Sequence, residues 1–327
     1  MIKDNLIIYV SSRNNYDMLS GEVLKNINTE GFEFINVDDN SSEEEIIKGK
    51  QICDDNNIVF LENKSSGVQM ATQTLIDFIN ENRPNCKWVI CFQHDNYPVS
   101  QNFFKRLSKL ISDDKLDRFG SIGFNLLDSG DYTEDSYSKY MSGEKPCGLL
   151  CFRHLSNLNT SNRWITPRKN KNLSEIYFNH KKPFIVDMQI WAIVGINVEV
   201  WNNVIEPNDE YKFLLWFPDI VMQLNYNNYP TLVLPDLYCM NNQRLKLKYG
   251  LPKSITSISR DTDNIYSDRG YGNHFNTFTS CWGWNYEDVN SSLPPLLHHY
   301  KDTLISKHYE HNINNDEPYE IVDLGEY

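Results

Sequence analysis

The sequence has little positive charge for its length. Its 31 Lys and Arg residues are outnumbered by 44 Asp and Glu residues, which gives a formal net charge of −13 over 327 residues. Proteins that bind nucleic acid or anionic lipid along a broad surface need a basic face. The composition therefore excludes a general polyanion binder. It still allows a local anion site in which a bound cation supplies the positive charge.

Several signature motifs are also missing. Neither G-x-G-x-x-G nor G-x-x-x-x-G-K-[ST] occurs, so the sequence predicts neither a dinucleotide-binding loop nor a P-loop. The seven cysteines are odd in number, scattered, and contain no C-x-x-C pair. This pattern is typical of reduced thiols in an intracellular protein and not of a disulfide framework or a zinc site.

Long apolar runs are absent as well. No stretch approaches the roughly 18 apolar residues that a membrane-spanning helix requires. The first residues, Met1 to Asn5, lead directly into a short apolar segment and do not resemble a signal peptide. We therefore expect a soluble, cytoplasmic protein without a membrane span.

The first 110 residues contain repeated units of a short apolar run, a polar loop and a helical pattern. The apolar runs are 6–10, 32–37, 57–61 and 87–92. Continuous apolar runs of this length are typical of buried parallel strands. The pattern predicts an α/β fold with a mostly parallel, doubly wound sheet and helices on both faces. Ligands of such sheets bind at the carboxyl ends of the strands, and here each run ends in polar and acidic residues.

Four segments at these and later positions carry a resemblance to a known family. They are Val37-Asp38-Asp39-Asn40-Ser41-Ser42, Glu62-Asn63-Lys64-Ser65-Ser66-Gly67-Val68, Phe92-Gln93-His94-Asp95-Asn96-Tyr97-Pro98 and Trp216-Phe217-Pro218-Asp219-Ile220. In this order and spacing they resemble the family-2-type inverting glycosyltransferases of the GT-A fold. The resemblance covers about residues 1–240 and implies transfer of a sugar, of hexose type, from a nucleotide-diphospho-sugar.

The resemblance also implies how the chain is divided. Residues 1–245 would form the GT-A domain, with a nucleotide-sugar-binding half at 1–125 and an acceptor-side half at 126–245. The acceptor-side half contains an irregular, polar stretch at 128–175. Residues 246–327 would be a C-terminal extension that packs on the catalytic domain.

On the donor side, the resemblance assigns Asp39 to recognition of the nucleotide base, with a UDP-sugar as the first expectation. It assigns four further donor contacts, Ser11, Asn63, Gln93 and His94. Asp95 would hold a divalent cation, Mn²⁺ or Mg²⁺, which neutralises the leaving diphosphate. The usual Asp-x-Asp is Gln93-His94-Asp95 here. Either Gln93 or His94 then serves the ribose, or metal affinity is low; His94 could also coordinate Mn²⁺.

On the acceptor side, Asp219 matches the family's catalytic base, which removes the proton from the attacking hydroxyl. The preceding Glu of the family is Pro218 in this chain. Asp288 is a second candidate, because Cys281-Trp282-Gly283-Trp284-Asn285-Tyr286-Glu287-Asp288 resembles an acceptor motif of GT-A galactosyltransferases. Four residues are expected to contact the acceptor, which would be a glycan, a lipid-linked glycan or a protein: Asp187, Trp191, Trp282 and Trp284.

Three alternatives remain open at this point. Asp38 to Ser41 could form only a turn and a helix cap, because Asp, Asn and Ser favour both. The whole chain could be a degenerate GT-A domain that binds a carbohydrate or a partner without catalysis, which Gln93 in place of an acidic residue favours. A sugar-nucleotide pyrophosphorylase has a similar sheet, but Ser11-Ser12-Arg13-Asn14-Asn15 lacks the glycines its loop requires.

Overall fold

A computed structural model describes residues 2–94, 96–128, 152–153, 182–186, 188–189, 193–211, 216–241, 277, 280–281 and 321–327. The strands are β1 (Leu6–Ser12), β2 (Glu33–Asp38), β3 (Val59–Glu62), β4 (Trp88–Phe92), β5 (Asn96–Pro98), β6 (Ser121–Asp128), β7 (Phe152–Arg153), β8 (Phe184–Val186), β9 (Met188–Gln189), β10 (Ile193–Asn197) and β11 (Thr231–Asn241). The α-helices are α1 (Tyr16–Met18), α2 (Leu24–Asn26), α3 (Glu43–Asp55), α4 (Val68–Asn82), α5 (Phe103–Ser112), α6 (Val198–Val204) and α7 (Trp216–Tyr226). A 3₁₀ turn (Ile2–Asn5) precedes β1, and a π-helical segment (Leu19–Val23) joins α1 to α2.

The central sheet has the spatial order β3-β2-β1-β4-β10-β6-β11-β5, and β8 also pairs with β11. Strands β3, β2, β1 and β4 are mutually parallel, as are β6 and β11. Strand β10 is antiparallel to both of its neighbours, and β5 and β8 are antiparallel to β11. The prediction of a mostly parallel α/β sheet is therefore confirmed.

Helices cover both faces of this sheet, because alternate residues of the buried strands point to opposite sides. On β1, Tyr9 belongs to a core that includes Leu75 of α4 and Phe217 of α7. Its neighbour Val10 belongs to the opposite core, which includes Leu107 of α5. The doubly wound arrangement expected from the sequence is present. No helix in the described part of the chain is both long and apolar enough to cross a bilayer.

Strand β11 differs from its sequence prediction. The apolar run at 231–234 is followed by Pro235 and by itself predicts a strand that ends there, but β11 continues to Asn241. Its register on β6 shifts between Leu234 and Tyr238, so Pro235 lies in a bulge where no ladder hydrogen bond is required of it. The prediction of a strand end at Pro235 was wrong. The two parts of β11 pair with different outer strands, β8 before the bulge and β5 after it.

Residues 321–327 pack against the face of the sheet that carries α5. Val322 and Leu324 are buried in the same core as α5. Arg106 of α5 donates to the carboxylate of Asp236, and its Nε donates to the main-chain oxygen of Tyr327 at 3.0 Å. The Tyr327 hydroxyl also donates to Asp236. Arg106 and Asp236 therefore form an ion pair, and each of the two residues also hydrogen-bonds Tyr327. These contacts attach the last residue of the chain to α5 and to the bulge of β11.

The packing of α3 against α1 predicts the effect of one substitution. A Cβ atom added to Gly49 would lie 2.4 Å from Cζ of the buried Tyr16 ring. Gly49→Ala is expected to destabilise the protein, because forced overpacking costs about 1–3 kcal/mol. The gain in helix propensity, up to about 1 kcal/mol, offsets only part of that cost. Urea unfolding checks this against Gln51→Ala, an exposed change in the same helix, and equal stability of Gly49→Ala and wild type would contradict it.

Candidate functional site

The carboxyl ends of β1, β2, β3 and β4 meet at one edge of the sheet, because these strands are parallel neighbours. The residues that the sequence singled out on these strand ends are Ser11, Asp39, Asn63, Gln93 and His94. All five are described, and the topology places them along this edge. This is the edge at which open α/β sheets bind their ligands.

Asp39 contacts the segment that leads into α4. Its Oδ1 accepts a hydrogen bond from the Gly67 N–H at 2.6 Å and another from Nδ2 of Asn63 at 2.9 Å. Gly67 precedes α4 with φ 103°, a left-handed conformation that favours glycine. Asp39 is only 2% exposed. The carboxylate therefore lies at the positive end of the α4 dipole, with two N–H donors holding its orientation.

The turn and the cap that follow β2 are made by other residues. The Ser41 N–H donates to Oδ1 of Asp38 at 3.0 Å, which forms the turn. The Ser42 hydroxyl accepts from the Glu45 N–H at 3.4 Å and caps α3. The turn-and-cap interpretation thus applies to Asp38 and Ser42. The Asp39 side chain is directed to a different helix, α4.

Asp219 lies in the first turn of α7 and is 3% exposed. Its Oδ2 accepts hydrogen bonds from Nε2 of Gln69 at 3.0 Å and from Nε2 of Gln223 at 2.9 Å. Oε1 of Gln69 accepts from the Asn208 N–H at 2.6 Å, so the amide of Gln69 has a defined orientation with its donor toward Asp219. The carboxylate is thereby fixed by side chains from α4 and α7.

The start of α4 contacts both carboxylates. Gly67 contacts Asp39, and Gln69, two residues later, contacts Asp219. Asp39 follows β2 and Asp219 lies in α7, so folding alone brings them to the same helix end. The arrangement offers one acidic group at the strand ends and a second on the adjacent helix.

Tyr211 lies beside Asp219. Burial, the Asp219 carboxylate and the Cys281 thiol together raise the pKa of the Tyr211 phenol above its ordinary value, so the phenol is protonated at neutral pH. Cys281 is exposed and begins the segment that contains the second base candidate of the sequence analysis. The start of that segment is therefore close to Tyr211.

On the opposite face of the same edge, Ser12 contacts His94. The Ser12 Oγ lies 2.8 Å from Nε2 of His94, and both side chains are buried. Ser11 precedes Ser12, pairs in register with Val37, and points to the face of Tyr9 by strand alternation. The side chains of Ser11 and Ser12, at the end of β1, thus point to opposite faces of the sheet.

Sequence reasoning missed Ser12, Gln69 and Gln223. Gln69 carried a signal, because it is a polar residue at a buried position of α4, among residues that pack on the core. Six predicted site residues lie outside the described part of the chain: Asp95, Asp187, Trp191, Trp282, Trp284 and Asp288.

The sequence predicted a divalent cation at this edge of the sheet. The side chains near this edge can be compared with the ligands that such an ion requires. Within the described ranges, no three His, Cys, Asp or Glu side chains converge as metal ligands. Asp95, outside those ranges, follows the described His94 directly in the chain. A single carboxylate fits an ion that is completed by substrate phosphate oxygens and water, a coordination that Mg²⁺ commonly adopts.

The fold is that of GT-A glycosyltransferases, as comparison with solved structures shows. The crystal structure of GalNAc-T7 with UDP, GalNAc and Mn²⁺ matches 95% of this chain with a TM-score of 0.54 and 13% sequence identity. This chain spans about half of that protein, 54% of its length. The GT-A fold expected from the sequence is confirmed. At this identity the likeness establishes the fold alone.

Two further solved structures match less well. The mannosyltransferase PcManGT from Pyrobaculum calidifontis, in complex with GDP-Man and Mn²⁺, has 10% identity and a TM-score of 0.48 over 90% of this chain and 68% of its own. S. aureus TarS 1-349 has 12% identity and a TM-score of 0.41 over 84% and 73%. With TM-scores below 0.5, these two structures carry no argument about the fold beyond the first comparison. No protein-family model and no curated protein sequence matches this chain.

Proposed function

We propose that this protein is an inverting glycosyltransferase that transfers a sugar from a nucleotide-diphospho-sugar, a UDP-sugar first, to a hydroxyl acceptor. The observation that carries the proposal is the convergence of Asp39 and Asp219 on the start of α4. One carboxylate then serves the donor and the other serves the acceptor. The GT-A fold supports the proposal, because open α/β sheets bind their ligands at the carboxyl ends of their strands, and Asp39 directly follows β2.

Asp39 recognises the nucleotide base in this proposal. A carboxylate accepts a hydrogen bond from a uracil-type N–H, and Asn63 together with the Gly67 N–H holds it in position for that contact. Ser11, on the same face of the sheet, contacts the base or the ribose. Gln93, half-buried at the end of β4, is a further ribose contact.

Asp95 would hold the divalent cation, Mn²⁺ or Mg²⁺. When bound, such an ion neutralises the charge that develops on the diphosphate as the glycosidic bond breaks. This chain's own contribution would be the carboxylate of Asp95, which follows His94 directly in the sequence.

Asp219 acts as the general base. The proton of the acceptor hydroxyl passes to its carboxylate while the hydroxyl oxygen attacks the anomeric carbon opposite the leaving diphosphate, which inverts the configuration. Gln69 and Gln223 orient the carboxylate. Asp288 is the reserve base, and the proposed acceptor contacts are Asp187, Trp191, Trp282 and Trp284.

Thermal unfolding in the presence of nucleotides tests the donor site. We expect UDP with Mn²⁺ to raise the Tm, because a ligand at a hundredfold excess over its Kd stabilises the native state by about 2.7 kcal/mol. UDP with EDTA should give a smaller shift, and GDP or ADP with Mn²⁺ should give less than UDP. If no nucleotide shifts the Tm with or without Mn²⁺, the donor-site proposal is wrong.

Gln93 in place of an acidic residue favours one alternative, a GT-A domain that binds but does not catalyse. That protein would bind a carbohydrate or a partner. It would release no UDP from any UDP-sugar, so turnover separates the two functions.

A further inference from the structure

Five buried polar side chains form a continuous hydrogen-bond network near the carboxyl edge of the sheet. We call this network the relay; its members are Asp38, Tyr16, Asn36, Ser12 and His94. All five are at most 4% exposed. The relay links the end of β2 to the residues that follow β4 through Ser12, the last residue of β1. Its position suggests a role in fixing the two loops that carry the proposed donor ligands.

The direction of each hydrogen bond in the relay can be worked out from Asp38. A carboxylate only accepts, so the Tyr16 hydroxyl donates its single proton to Oδ2 of Asp38, at 2.6 Å. Burial and the Asp38 carboxylate raise the pKa of Tyr16, which keeps that proton in place at neutral pH. The Tyr16 oxygen must then accept from its other neighbour. That neighbour is Nδ2 of Asn36, at 3.3 Å.

The same reasoning continues to His94. Because Nδ2 of Asn36 faces Tyr16, its Oδ1 faces Ser12, and the Ser12 hydroxyl donates to it. The single proton of Ser12 is thereby used, so its oxygen accepts from Nε2 of His94 at 2.8 Å. Nε2 must carry a hydrogen. In the neutral ring, Nδ1 is then the nitrogen without a proton and is a hydrogen-bond acceptor.

We propose that the relay holds His94 in the Nε2–H tautomer and that Ser12, Asn36 and Tyr16 are positioning residues of the donor site. The ring anchors the chain at Gln93 and His94, directly after β4, and Asp38 accepts from the Ser41 N–H and so anchors the loop that contains Asp39. The two loops are therefore held at a constant separation for the nucleotide. Only this last step rests on the proposed function; the tautomer does not.

Two-bond ¹H–¹⁵N NMR spectra of the ligand-free protein test the tautomer. In mildly alkaline buffer, the His94 signals should have the pattern of the Nε2–H form; His94→Gln identifies them. Ser12→Ala should give a mixture of tautomers, because Nε2–H loses its acceptor, and Ser12→Thr should restore the wild-type pattern. An Nδ1–H ring in wild type, or a Ser12→Ala spectrum identical to wild type, overturns the proposal.

UDP titrations with Mn²⁺ test the positioning role. Ser12→Ala should weaken UDP binding about threefold to tenfold, the effect of one lost buried hydrogen bond, and Ser12→Thr should recover most of it. Ser121→Ala is a matched control, since Ser121 is equally buried and hydrogen-bonds Thr231 at the opposite edge of the sheet. Equal losses in both alanine variants would mean a general structural effect and overturn the positioning role. If wild type does not bind UDP at all, the proposed function fails while the tautomer result stands.

Discussion

Asp219→Asn is expected to lower the rate of UDP release from the preferred UDP-sugar by about 10²- to 10⁴-fold, the contribution typical of a general base. The amide keeps the size of the side chain, and its oxygen can still accept from Gln69 and Gln223. It cannot take a proton from the attacking hydroxyl. The Kd for UDP should therefore change little. Initial rates and UDP titrations on the same preparation measure both quantities.

Asp209→Asn provides the control for the loss of one negative charge. Asp209 is exposed, so the same chemical change should leave the rate at its wild-type value. If Asp219→Asn is as active as wild type, Asp219 is not the base. The assignment would then pass to Asp288, and the fold and the donor site would be unaffected.

Asp39→Asn is expected to weaken UDP binding by about 10- to 100-fold. The amide oxygen can replace Oδ1 and still accept from the Gly67 N–H and from Asn63, so the fold should tolerate the change. In the proposed complex, the other oxygen becomes an NH₂ group that would face the N–H of the base. A charge-assisted hydrogen bond, about 1.5–3 kcal/mol, is lost. Isothermal titration with UDP and Mn²⁺ measures the effect.

The comparison variant for Asp39 is Asp54→Asn, an exposed residue near the end of α3. It should bind UDP as wild type does. A wild-type Kd in Asp39→Asn would show that the carboxylate does not contact the base. Asp39 would then be a structural residue that holds the start of α4.

Most of the first half of the fold could be read from the sequence because β1, β2 and β4 are buried on both faces. Such strands are continuous apolar runs, and polar residues mark their ends. Strands β6 and β10 were not predicted, although both are central in the sheet. Gly, Ser and Asn interrupt their apolar character, and Gly195 of β10 has a spatial reason: a Cβ there would lie 3.1 Å from Ile90. Close approach between strands is a long-range property that a local pattern does not contain.

The sequence could predict which residues belong to the candidate site. It could not predict how these residues are arranged around the start of α4. The sequence motifs singled out Asp39 and Asp219. Their common attachment to α4 depends on Gln69, which is 150 positions away from Asp219 along the chain. The relay was missed for the same reason, because its hydrogen bonds join residues that are distant in the sequence and belong to different segments of the fold. Ser12, Asn36 and Tyr16 have no special spacing in the sequence that would reveal it.

UDP release from a panel of UDP-sugars, with Mn²⁺ and in the presence of hydroxyl acceptors or water alone, tests the proposed transferase activity most directly. Wild type should release UDP from at least one UDP-sugar in a reaction that EDTA suppresses and that Asp219→Asn slows strongly. No release from any UDP-sugar, together with no nucleotide-dependent rise in Tm, would contradict the proposed function.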